Sequence, residues 1–397
     1  MAIILAAPKF CTFLGPLLVD CLRRAVGSKR CVVIMFSLSA VLNLVSPSIA
    51  RVSPYFLMPV LTVIGLSRNT GQVIMAEIIA WWFPVSERMF ASSFAMAGMN
   101  TAAILGSLYS GYACSIPVDN GWPFIFYIIT GAMVIFIILW GILCTSSPDT
   151  HPFITKEELQ FIIINRSGME EDGRKKSSMP PYRQIFCSKA VLGYLTLCSC
   201  YLWVMTSTMS YIQIFYKTTL KFSTSEVGLM MSLIAVVRIL CGLAWVGFSR
   251  ILILSARGLP INHVRKITVM IGLSVSAGLH FTVSGTLSYA NPWVIYAMHL
   301  GVHGFDCVVH NMFGVLALDM APRYASTIIA IQGTLSTTIS TSGPLFVGFM
   351  TPEYSTHQWA TVFVIWGAVI LAGGTLFCLL GEAVLQPWAQ QPNKTWR

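Results

Sequence analysis

The stretch PWVIYAMHLGVHGFDCVVHNMFGVLAL, Pro292–Leu318, carries a single formal charge, Asp306, inside an otherwise apolar run. A membrane-crossing helix needs about 20 consecutive, mostly apolar residues. This run exceeds that length and lacks the period-two alternation of a barrel strand. Within it stand His299, His303, Asp306 and His310, at i, i+4, i+7 and i+11. At about 100° per residue the four positions fall within roughly 60° of one another on a helix. So narrow a polar stripe has to face protein or a water-filled cavity rather than lipid.

The rest of the chain is of the same kind. Of its 397 residues 55% are hydrophobic and 10% charged, against the ~25% charged residues of an ordinary soluble domain. Spans of about 20 residues or more are expected at about 1–20, 31–50, 55–82, 90–113, 122–144, 190–214, 227–248, 267–287, 292–318, 324–349 and 359–381. The reading is an all-α polytopic membrane protein with about 11 transmembrane helices. The net charge of +10 is a topology signal rather than a nucleic-acid footprint, because the basic residues sit in loops. Nineteen of the 25 Lys and Arg fall in alternate loops and three in the other set, with Lys9, Arg68 and Arg238 inside spans. The basic set is expected in the cytosol, together with the C-terminus. The polar stretch at 145–189 reads as a cytosolic linker between a five-helix bundle at 1–144 and a six-helix bundle at 190–381, with a cytosolic tail at 382–397. Asn165 and Asn393, in the two sequons, lie on that side and are expected to stay unglycosylated. Eleven cysteines occur without CxxC or Cys/His spacing, so no metal site and no cofactor is expected. Neither a Ser/His/Asp pattern, HExxH nor a nucleotide-binding loop is present, and no enzyme activity is expected.

Several strings, in order, carry a resemblance: GPLLVDCLRRAVGSKR, WWFPVSERMFASSFAMAG, GWPFIFYIITG, SSPDTHPFITKEELQFI, LDMAPRYAS, SGPLFVGFM, QWATVFVIWG and GEAVLQPWA. Together, from Phe13 to Ala389, they resemble the major facilitator superfamily, in particular the anion/cation symporter family of sialin, the vesicular glutamate transporters and the sodium-phosphate cotransporters. The resemblance implies a fold of six plus six helices. GPLLVD then ends the second helix, so the first helix of the fold is expected to be absent. The fourth, seventh and tenth helices, together with that first one, would line the transport path, and Pro292–Leu318 would be the tenth.

Ionisable groups inside spans are costly and mark function by default. Arg68 and Arg238 are candidates for binding an anion or pairing with another helix, since the guanidinium fork fits carboxylate and phosphate. Gln72 and Tyr201 join them as substrate-binding candidates, and Asp306 is a candidate partner for either arginine. His299, His303, Asp306 and His310 are candidates for ion or proton coupling, for lining a cavity, or for packing alone. Glu77 is a candidate for coupling or for a structural pair. Asp20, Arg23 and Arg24, with Glu87 and Arg88, resemble cytosolic latches of the family. The second bundle's counterpart, near GFSRILILSARG, lacks the acid. Gly343-Pro344 is expected to kink the eleventh helix.

The family's binding site is rewritten here. Its fourth-helix arginine, the glutamate seven residues later and its seventh-helix arginine correspond to Leu61, Arg68 and Tyr201. The asparagine-histidine end of its tenth helix reads Leu316-Ala317. Transport of glutamate, sialic acid or phosphate therefore does not carry over. The expected function is transport of a small organic or phosphate-like anion by alternating access, with a proton or sodium ion as candidate coupling ion. The alternative is a transporter-like membrane protein that does not transport and acts by binding a partner. Plasma membrane and lysosomal or vesicular membrane both remain open.

Overall fold

The computed structural model describes residues 14–67, 70–84, 87–113, 116–145, 148–165, 180–255 and 260–389. Regular structure among them is helical throughout, as the absence of water demands. In a bilayer a backbone can bond only within its own helix or around a closed barrel. In chain order the α-helices are α1 (Gly15–Val26), α2 (Ser28–Val52), α3 (Leu57–Ser67), α4 (Thr70–Trp82), α5 (Arg88–Ala113), α6 (Trp122–Leu143), α7 (Lys156–Asn165) and α8 (Tyr182–Cys187). There follow α9 (Lys189–Thr218), α10 (Thr224–Ser255), α11 (Ile261–Thr286), α12 (Pro292–Met320), α13 (Ala325–Ser340), α14 (Ser342–Met350) and α15 (Thr356–Leu380).

Eight of these, α2, α5, α6, α9, α10, α11, α12 and α15, are long and apolar enough to cross a membrane. The other three expected spans differ in instructive ways. Most of 1–20 lies outside the described residues. Within the 55–82 span a short 3-10 turn leads into α3, described to Ser67, and α4, described from Thr70, with residues 68 and 69 outside the described residues. The 324–349 span divides at Thr341 into α13 and α14. Pro344 has no N–H to return to the carbonyl of Ser340. Around the break the side chains of Ser340 and Thr341 donate to the Thr337 carbonyl, and that of Ser342 donates to Ile339.

Two compact units group the chain out of sequence order. One comprises the described residues of Met1–Arg88, Leu105–Pro180 and Ala321–Thr334; the other those of Met89–Ile104, Pro181–Met320 and Leu335–Arg397. In the first unit α2 packs along α6 and also touches α1, α3 and α4. Gly27 makes the α1–α2 turn. Its φ of +85° is a conformation L side chains rarely adopt, and its N–H caps α1 on the Arg23 carbonyl at 2.8 Å. Val19, Cys31, Val32, Val73, Ile74 and Ala330 form a buried core. Only Pro123 and Thr130 of α6 are buried, and Ile135, Ile138 and Ile142 stand exposed. An outward face this apolar suits lipid.

In the second unit α12 is the central helix, packed against α9, α10 and α11, while α15 covers α9 and α11. Between Val302 and Met320 only Phe305 and His310 keep partial exposure. Gly272 lets α11 close on α12, because a Cβ there would stand 2.8 Å from the Phe305 carbonyl oxygen. The tail after α15 returns to this unit. The Gln386 N–H caps the Met320 carbonyl at 2.9 Å, and the Ala383 N–H bonds Asn262 Oδ1 at 2.8 Å.

A buried charge centre and a half-exposed ion-pair network

The polar stripe of α12 exists because that helix sits inside its unit, where polar groups find partners on neighbouring helices. Arg238, mid-way along α10, is 4% exposed. Its Nη1 donates to Asp306 Oδ1 at 3.2 Å, and its Nη2 to the Tyr201 hydroxyl at 2.8 Å. The same Nη2 lies 3.3 Å from His310 Nδ1. A guanidinium offers only donors, so this imidazole nitrogen accepts and its proton resides on Nε2. The Tyr201 hydroxyl in turn donates a hydrogen bond to Met205 Sδ at 3.0 Å. One carboxylate thus neutralises one guanidinium, while Arg238 Nε keeps no partner among the described residues.

From Asp306 the stripe continues up α12. His303 Nδ1 stands 3.6 Å from Asp306 Oδ2, and the His303 and His299 rings meet edge-on with centroids 4.7 Å apart. His299 Nδ1 is hydrogen-bonded to the Tyr216 hydroxyl of α9 at 2.5 Å. Tyr201, Arg238, His299, His303, Asp306 and His310 therefore form one chain of contacts within one unit. An apolar groove of about 570 Å³ on α10, α11 and α12, lined by Val237, Cys241, Trp245, Ile271, Gly301 and Phe305, offers no acidic or basic side chain for a charged solute.

The first unit holds the other cluster. Asp20, wholly buried, accepts from Arg23 Nη2 at 2.7 Å and pairs with Arg24 Nη2 at 3.0 Å. Arg23 Nη1 reaches Glu77 Oε2 at 2.6 Å, which also accepts from Ser28 Oγ at 2.5 Å. Thr327 Oγ1 donates to Asp20 Oδ2 at 3.0 Å. Glu77 therefore sits among Asp20, Arg23 and Arg24. Glu87 is exposed and Arg88 buried, and Gln72 is half-buried on α4. Arg68 lies outside the described residues.

Two features escaped the sequence reading. Arg265, counted there as a loop cation, is 2% exposed and donates from Nε to Asp319 Oδ2 at 3.1 Å. The second bundle thus has an acid for its basic end, supplied by LDMAP at the end of α12 rather than by the loop after α10. His280 of α11, in SAGLHFTV, is also buried, with its ring 6.0 Å from Trp366 and 5.8 Å from Phe363. A lone histidine mid-span was the available signal.

A profile for the Major Facilitator Superfamily matches residues 1–342. Vesicular glutamate transporter 3 of Danio rerio is 27% identical over 362 residues, which is 90% of this chain and 59% of that protein. Sodium-dependent phosphate transport protein 4 of Homo sapiens is 25% identical over 374 residues, 92% of this chain and 86% of that one. Both lie within the families that the ordered motifs resemble. Among solved structures, the proton:xylose symporter XylE with bound 6-bromo-6-deoxy-D-glucose aligns at a TM-score of 0.75 and 13% identity, covering 98% of this chain and 87% of the other. That likeness concerns the fold.

Proposed function

We propose that this chain, which belongs to the Major Facilitator Superfamily and is a multi-pass membrane protein, carries a small organic anion across its membrane by alternating access. The observation that carries the reading is Arg238. It is a guanidinium 4% exposed in the middle of a span, held by one carboxylate oxygen and two neutral groups. Such a fork takes a solute carboxylate in bidentate fashion. Asp306 competes for it, so protonation of Asp306 and arrival of a carboxylate at Arg238 favour one another. Tyr201 and His310 orient the fork, and Arg68 and Gln72 are the further substrate contacts this reading assigns. The glutamate and phosphate named for the two relatives support an anion as the class. The departures at Leu61 and Tyr201 argue against borrowing either solute. Asp20, Arg23, Arg24 and Glu77 act as the latch of one conformation, with Glu87 and Arg88 beside it in sequence.

The test is uptake into proteoliposomes of labelled glutamate, urate, inorganic phosphate and benzoate, with and without a pH gradient. Arg238→Gln is expected to abolish uptake of the transported anion while the protein stays monodisperse. Uptake unchanged by Arg238→Gln would remove this site. No uptake of any of the four by folded wild-type protein would favour a partner-binding role.

A further inference from the structure

One motif of the sequence has no part in the site so far: GEAVLQPWA, Gly381–Ala389. Chain ends fray unless something ties them down, and this segment is tied to three helices. The Gln386 N–H donates to the Met320 carbonyl at the end of α12 at 2.9 Å, and the Ala383 N–H to Asn262 Oδ1 in the first turn of α11 at 2.8 Å. Gln386 Oε1 accepts from Ser188 Oγ at 3.4 Å, while its Nε2 donates to the Val384 carbonyl at 3.1 Å. Ser188 is the N-cap of α9 and makes no cap bond with its side chain, so its hydroxyl serves the tail instead. Gly381, Ala383, Gln386 and Ala389 are buried, whereas Glu382, Val384, Leu385 and Pro387 are exposed.

The strap also presses on α9. A Cβ at Gly193 would stand 2.7 Å from the Gly381 nitrogen, so a bare glycine admits the strap backbone there. These contacts sit at the ends of the two helices that bring Tyr201 and Asp306 to Arg238. α9 and α12 run antiparallel, with Tyr216 meeting His299 far from the strap, and further contacts join them on the way. Buried Tyr194 donates its hydroxyl to the Phe313 carbonyl at 3.0 Å. Beyond it the Tyr201 ring lies 5.6 Å from Phe313 and 6.1 Å from His310, and its hydroxyl accepts from Arg238 Nη2. One contact fixes a point on each helix; a second, about 10 Å along at about 1.5 Å per residue, also fixes the angle between them. Asp306 and Tyr201 stand about 20 Å along their helices from the strap. Over that length a helix is a stiff element, and a shift at its end is carried to the site.

We infer that the Gly381–Ala389 strap sets the register of α9 against α12, with Gln386 as a positioning residue that keeps the Tyr201 hydroxyl on Arg238. This role rests on the carboxylate site at Arg238 proposed above, and adds the segment that pre-forms it. Tyr201 takes one N–H of Nη2 and so fixes the plane of the guanidinium. An arriving carboxylate needs two N–H groups in parallel, which a fork held in one plane offers at once. With the strap detached, the Met320 carbonyl and Asn262 Oδ1 lose their donors from the tail. α9 then shifts against α12, and Tyr201 leaves the fork. A fork that must be ordered on arrival of the solute binds it more weakly than one already held.

The test uses Gln386→Pro, which has no N–H for the Met320 carbonyl, and Gly193→Ala, which sets a methyl group against the Gly381 backbone. In proteoliposomes each monodisperse variant is expected to raise the KM of whichever of the four anions the wild type carries several-fold, at a nearly unchanged maximal rate. Wild-type KM in both variants would overturn the inference. So would a lower maximal rate at unchanged KM, because the strap would then act in the conformational step and not on the site. A readout without any solute separates this role from the transport reading. Tyr201→Phe is made in the wild type and in each strap variant, and thermal unfolding is followed in detergent. Substitutions this far apart with no shared partner normally add. Here the fall in unfolding temperature caused by Tyr201→Phe should shrink towards zero in the strap variants, where the bond to Arg238 is already lost. That non-additivity supports the positioning role even if no anion is carried; an equal fall in all backgrounds overturns it.

Discussion

The two charged clusters of this protein are built from the same side chains and behave as opposites. In the first unit Arg23 and Glu77 are 14% and 22% exposed as side chains, and two arginines, Arg23 and Arg24, balance two acids, Asp20 and Glu77. Every carboxylate there has at least two donors. In the second unit Arg238 and Asp306 are 3% and 5% exposed and joined by a single contact of 3.2 Å. Around them lie nitrogens with no partner among the described residues. A saturated network at the rim of water is suited to hold a conformation; an under-satisfied pair in a dry interior is suited to exchange partners. The number of donors on each carboxylate and the exposure of Arg23 and Glu77, rather than residue type, separate the two roles.

The sharpest way to break that contrast is to truncate an acid in each place. Asp306→Ala leaves Arg238 buried without a counter-charge, and should destabilise the protein by about 3–5 kcal/mol, read as the shift in thermal unfolding in detergent. The double variant Arg238→Met with Asp306→Leu should recover most of that loss and carry no anion. Recovery of neither would mean that the pair holds the helices together.

The packing that keeps α12 dry makes the next largest effect. Gly272→Val sets side-chain atoms against the Phe305 carbonyl and should cost about 1–3 kcal/mol, with unfolding again as the measure. A smaller loss, about 1 kcal/mol, is expected for Ser355→Ala. It removes the acceptor of the Gln358 N–H in the capping box of α15 and touches neither cluster, so it serves as the control for general loosening. Glu77→Gln should change stability least, by about 0.2–1 kcal/mol. Its effect should shrink in about 1 M salt, where the Debye length is about 3 Å, while that of Asp306→Ala persists. Equal salt sensitivity at both positions would remove the distinction drawn above.

Much of the fold was legible from one-dimensional pattern. Long apolar runs with few charges specify spanning helices because a bilayer leaves the backbone no other partner than itself. Where reading and structure part, at Thr341, short polar residues beside a proline let the helix break. Apolar counting does not register such breaks. The site was partly legible for the same reason. A charge within an apolar run is conspicuous, and Arg238, Asp306 and the histidine stripe of α12 stood out. His280 was lost because one imidazole in a span has no pattern of its own. Asp319 was lost because the second acid was sought near the loop after α10, whereas its partner Arg265 lies 54 positions before it.

What the chain's own order of residues determined, then, is which positions are costly to bury: ionisable groups in spans that cannot face lipid. Which of them meet was decided by the tertiary structure alone. Pairing depends on the rotation of α9, α10, α11 and α12 about their own axes, and on approaches as close as the one Gly272 permits. Both are properties of neighbouring helices and not of any single stretch. The same physics gives Asp20 two arginines and a threonine, and leaves Asp306 one guanidinium and a row of imidazoles.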